Sequence, residues 1–186
     1  MSPVTDCANN NMYDNSFKNL DHQLGSLESH TRGEELAKGY SPDLTATHEG
    51  YVRLIVESEP RCDRKAVVGG YLKAEKYSQD ARVTPTLVFV MREQNRTSVR
   101  QMADHLREFI GFWKSVHPHG GVKEVLILSD VTYLKSLQRR IALLTAEFRA
   151  LCQVLDLDRG AQAVAAAALK PAPEHARRPE ADALRV

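Results

Sequence analysis

Cysteine is scarce in this chain and is never paired. Three occur, Cys7, Cys62 and Cys152, with no CxxC spacing. That pattern excludes a disulfide framework and a zinc knuckle and reads as reduced thiols. Long apolar runs are missing as well. No stretch approaches the roughly 20 residues that a membrane span needs, and the polar, Asn-rich opening lacks the apolar segment of a secretory signal. The expectation is a cytoplasmic protein with no membrane partner. An excess of one charge is also lacking: 25 basic residues face 24 acidic ones, for a net charge of +1. A nucleic-acid binder of this balance must gather its positive charge on one face. There is no glycine-rich phosphate loop and no Ser-His-Asp set. His117 and His119 form an HxH pair without a third ligand nearby in sequence, so they read as solvated loop residues rather than a metal site.

What remains is enough for one domain. The chain has 186 residues, of which 42% are hydrophobic, sufficient for a single core. Residues 1–19 have no apolar period and read as a flexible arm, and the Ala/Pro/charge mixture of 159–186 reads as a disordered tail. The domain between them, 20–158, alternates helical and strand patterns. A helix is expected over about 31–38, where Thr31 and Glu34 form a capping box and Gly39 is a stop. Strands follow at about 43–48 and 51–57, then a helix at about 63–78 with Asp63 as N-cap. TLVFVM (86–91) and EVLILS (124–129) are continuous apolar runs and read as buried strands. A helix over 97–116 joins them, and a long helix is expected over about 131–155. Helical connections between buried strands imply a mixed sheet of four to five strands in an α/β, three-layer helix–sheet–helix arrangement.

Segment 41–60, SPDLTATHEGYVRLIVESEP, carries most of the chemistry. A three-residue turn, His48-Glu49-Gly50, would pair Thr47 with Tyr51 and set Asp43 opposite Ile55. One face then carries Leu44, Ala46, Val52, Leu54 and Val56, and the other collects Asp43, Glu57 and Glu59 at one end. Asp43 lies diagonal to Glu57, within about 7–8 Å on the backbone. A two-residue Glu49-Gly50 turn would instead separate Asp43 from both glutamates. Clustered carboxylates repel, and Mg²⁺ relieves this while keeping waters and taking phosphate oxygens as further ligands. The alternative is a solvated acidic face. Arg64, Lys65, Lys73 and Lys76 line the polar side of the next helix, and Arg92, Arg96 and Arg100 follow strand 86–91. Each group is either a phosphate-contacting patch or a solvated surface. The paired glycines Gly69-Gly70 inside a helix point to close packing on the sheet.

Pro42-Asp43, then Glu57-x-Glu59 on the following strand, then a basic helix, resembles the PD-(D/E)xK nuclease superfamily, over roughly residues 31–91. The resemblance implies a restriction-endonuclease-like core and a Mg²⁺-dependent DNA endonuclease, with Mn²⁺ as a substitute metal. It implies Asp43 and Glu57 as metal ligands, Glu35 as an added ligand, and Glu59 where the family usually has lysine. Glu59 would then act as the base or hold a second metal, or Lys65 or Lys73 would supply the missing positive charge. The same departure leaves open a catalytically inactive module for nucleic-acid binding or dimeric assembly. Leu134, Leu137, Ile141, Leu144, Phe148, Leu151 and Leu155 step at heptad spacing. The seam suits either a homodimer through helix 131–155 or packing on the protein's own sheet.

Overall fold

The computed structural model describes residues 14–156, apart from 95–96 and 118–120. Most of the N-terminal arm, the C-terminal tail, Arg96 and His119 therefore lie outside the described residues. Among the described residues, six strands form one mixed sheet. β1 (Ser29–Thr31), β2 (Leu44–His48) and β3 (Tyr51–Glu59) form an antiparallel meander. α2 (Arg64–Ala81) then crosses to β4 (Thr86–Met91), parallel to β3, and α3 (Val99–Val116) crosses to β5 (Glu124–Ser129), parallel to β4. The chain ends on β6 (Gln153–Asp156), antiparallel to β5.

The strand sequences dictate the layers. Alternate residues of a strand face opposite sides, and every residue of β4 is buried. Leu87 and Phe89 pack under α2 and α3 with Ile55, Val125 and Ile127. Val88 and Val90 pack on the other face with Leu44, Leu54 and Val56, beneath α1 (Asp14–Lys18), α4 (Asp130–Gln138) and α5 (Ala146–Ala150). The three-layer α/β expectation holds, with six strands in place of four or five.

Four expectations need correction. Residues 31–38 form no helix: Thr31 belongs to β1, and its hydroxyl bonds that of Thr45 at 2.7 Å instead of capping a helix. The domain starts earlier than residue 20, because Phe17 on α1 is wholly buried. The hairpin turns on two residues, Glu49 and Gly50, both with left-handed φ (53° and 73°), and His48 pairs with Tyr51. The fourth correction concerns the long helix 131–155, which is three elements. α4 stops where Arg140 takes φ 54° and the Ile141 N–H reaches back to the Ser136 carbonyl at 2.9 Å, a Schellman-type stop. Leu144 turns left-handed as well, and Thr145 caps α5. The heptad leucines are thus consumed by the core: Leu134, Leu137, Leu144 and Leu151 pack on one sheet face, and Leu155 of β6 packs on the other. No continuous seam exists to join two copies.

Candidate active site

A two-residue turn should have moved Asp43 to the wrong face. A bulge reverses that. Thr47 pairs with Val52 but Ala46 pairs with Leu54, so Arg53 is the extra residue in β3. One inserted residue flips the face of everything before it relative to everything after it. Val52 consequently joins the Ile55 side of the sheet, not the Leu44 side as expected. Beyond the bulge Thr45 pairs with Ile55 and Leu44 with Val56. Continuing that register one residue sets Asp43 directly opposite Glu57, on the face covered by α2.

The two carboxylates meet different surroundings. Asp43 is buried; its Oδ2 accepts the Ser58 N–H at 2.7 Å, and its Oδ1 lies 3.3 Å from the Lys18 Nζ. Glu57 lines a cleft of about 290 Å³ between the ends of β3 and β4 and the flank of α2. Burial, reinforced by the Asp43 charge, pushes the Glu57 carboxyl up to about 7, against opposing effects of the Tyr40 hydroxyl, the Lys73 charge and the Asp43 N–H. Glu59 lines the same cleft two residues on, and its carboxylate accepts the Arg61 N–H at 3.2 Å. Burial also raises its ionisation range.

α2 presents Ala66, Gly69, Gly70 and Lys73 to the cleft, the i, i+3, i+4, i+7 stripe of one helix face. The glycines have separate reasons. A Cβ on Gly70 would stand 3.1 Å from the Phe89 ring, so its absence lets α2 approach β4, whereas a Cβ on Gly69 would meet nothing within 4 Å. Lys73 is therefore brought to the carboxylates. Lys65, exposed in the first turn, is not among the cleft-lining residues, and neither is Arg92, which is exposed beyond β4.

Glu35 does not join the carboxylates. Its Oε1 accepts the Gly39 N–H at 2.8 Å and closes a tight turn, which the backbone pairing of Ala37 with Tyr40 completes. That turn aims Tyr40 into the cleft, a residue the sequence reading passed over because it fell in an apparent loop after a helix stop. Glu75, wholly buried on α2, is a structural acid: it accepts the Gly121 and Val122 N–H groups at 2.9 Å each. Among the described residues, no three His, Cys, Asp or Glu side chains converge as a metal-holding group, and no helix is long and apolar enough to cross a membrane. Comparison of the chain with protein-family models, curated proteins and solved structures finds no match in any of the three.

Proposed function

We propose that this protein is a divalent-metal-dependent nuclease of the PD-(D/E)xK type that hydrolyses phosphodiester bonds in DNA. The observation that carries the reading is the opposition of Asp43 and Glu57 beside a cleft edged by Glu59 and Lys73. The donor set suits Mg²⁺, which takes one or two carboxylates and fills its shell with water and substrate oxygens; a cage of three acids is not required. Mg²⁺, or Mn²⁺ in its place, would polarise the phosphodiester and lower the pKa of an attacking water.

The chain's own groups divide the remaining work. Asp43, fixed by the Ser58 N–H, and Glu57 supply the anionic oxygens. Glu59, half-buried and on the same cleft wall, is the base that orients the water. Lys73 takes the place of the lysine the family usually carries at the Glu59 position and neutralises charge on the phosphate. The bare Cα of Gly69 leaves room for a backbone phosphate against α2. Arg92 and Lys65 extend a basic rim around this end of the sheet.

One observation favours a second reading, a catalytically inactive nucleic-acid-binding module. Both oxygens of Asp43 already have protein partners, and one of those is a cation, Lys18. Titration with Mn²⁺ separates the readings: the nuclease binds it at a site lost in Asp43→Ala, and the inactive module does not bind it.

A further inference from the structure

The Tyr40 hydroxyl is buried beside the Glu57 carboxylate, close enough to interact with it but short of full hydrogen-bonding geometry. The residue is 5% exposed, yet it lines the cleft beside Glu57. A phenol is protonated at neutral pH, so the hydroxyl is a donor. A buried donor left without a full hydrogen bond is costly and calls for an explanation. The surrounding turn is built to hold it. The Leu36 N–H donates to the Tyr40 carbonyl at 2.8 Å, the Tyr40 N–H to the Ala37 carbonyl at 2.7 Å, and Glu35 clamps Gly39, whose φ is 75°. The ring itself packs in the core under α2. The hydroxyl therefore cannot swing to water, and Glu57 is the acceptor it faces.

We infer that Tyr40 is a positioning residue: its O–H engages one oxygen of the Glu57 carboxylate when a divalent cation takes the other, fixing the ligand's rotamer. The inference rests on the reading of Asp43 and Glu57 as the metal-holding pair. Partners that orient a metal ligand in this way typically contribute 10–100-fold in affinity. Tyr40 also gives Glu35 an indirect part in the site, through the turn that it closes.

The test is Tyr40→Phe in the full chain, with Mn²⁺ affinity measured by electron paramagnetic resonance and thermal stability measured in EDTA. The variant removes only the phenol oxygen, so its Tm should equal or exceed that of wild type, while the Mn²⁺ Kd should rise about tenfold. A purely structural tyrosine would move the two readouts together. Unchanged Mn²⁺ affinity in Tyr40→Phe beside normal wild-type binding would overturn the role of Tyr40 alone. Absence of Mn²⁺ binding by wild type would overturn the metal-holding pair, and this inference with it.

Discussion

Asp43, one residue before β2, and Glu57 of β3 share one end of the hairpin, where the Asp43 charge acts directly on the Glu57 carboxyl. The Ser58 N–H and Lys18 stabilise a charged Asp43, whereas burial and the Asp43 charge itself disfavour a charged Glu57.

Metal-free stability should therefore respond in opposite directions to the two substitutions. Asp43→Ala strips partners from the Ser58 N–H and Lys18 and should cost about 1–3 kcal/mol. Glu57→Gln at pH 8 removes a disfavoured charge and should raise Tm. Thermal melts in EDTA check this, and shifts of the same sign would refute it.

The pH dependence of stability is pulled in opposite directions, by the raised carboxyls of Glu57 and Glu59 on one side and by the lowered His22 on the other. Glu57 titrates near 7 in the folded protein against an ordinary 4.5, so its contribution is full below 4.5 and is lost as pH rises through 7. His22 is buried against Tyr133, its Nδ1 2.7 Å from the phenol oxygen, and burial lowers it to about 4 from 6.5. Its contribution is full above 6.5 and is lost as pH falls through 4. Between 4.5 and 6.5 the Glu57 and His22 slopes oppose, so removing the Glu57 carboxyl in Glu57→Gln should make Tm rise more with pH than in wild type. Parallel profiles for the two proteins would show that Glu57 is not perturbed in this way.

The paired glycines of α2 should separate. Gly70→Ala pushes a methyl against Phe89 and should destabilise by about 1–3 kcal/mol. Gly69→Ala meets open space and should stabilise by about 1 kcal/mol through helix propensity, while its methyl intrudes on the cleft and weakens cleavage. Equal Tm shifts for the two would contradict the packing described.

Two lysines of α2 offer an internal control. Lys73→Ala should lower cleavage roughly 100-fold, because its ammonium reaches the cleft. Lys65→Ala should weaken DNA binding modestly and reduce the salt dependence without abolishing turnover. Comparable losses of turnover in both would remove the distinction between cleft and rim.

How much of this was legible in the sequence depends on how local the determinant was. Strands 86–91 and 124–129 agree residue for residue with β4 and β5, because a short continuous apolar run that buries both faces reads as a buried strand. The helix after Asp63 is legible from its cap and that over 97–116 from its apolar stripe, while the Ser98 capping box that starts α3 at Val99 was not read. The hairpin was legible only in part. Alternation placed Leu44, Ala46, Leu54 and Val56 on one face, but the Arg53 bulge depends on what the sheet packs against, and it carries no glycine to mark it. The direct opposition of Asp43 and Glu57 was therefore anticipated only as a diagonal. Residues 131–155 misled because two short helices and a strand buried their leucines at heptad spacing. Their breaks fall at left-handed Arg140 and Leu144, residue types that do not announce a stop. Tyr40 was invisible because its significance lies in sharing a cleft with Glu57, 17 residues further along the chain.

The most direct measurement is cleavage of plasmid and of single-stranded and branched DNA by the purified protein in Mg²⁺ or Mn²⁺, beside an EDTA control, Asp43→Ala and Glu57→Ala. The account predicts metal-dependent cleavage that EDTA stops and that both substitutions abolish, with circular dichroism showing folded variants. Cleavage that survives at the wild-type rate in either variant, or no cleavage of any substrate by wild type, would contradict it.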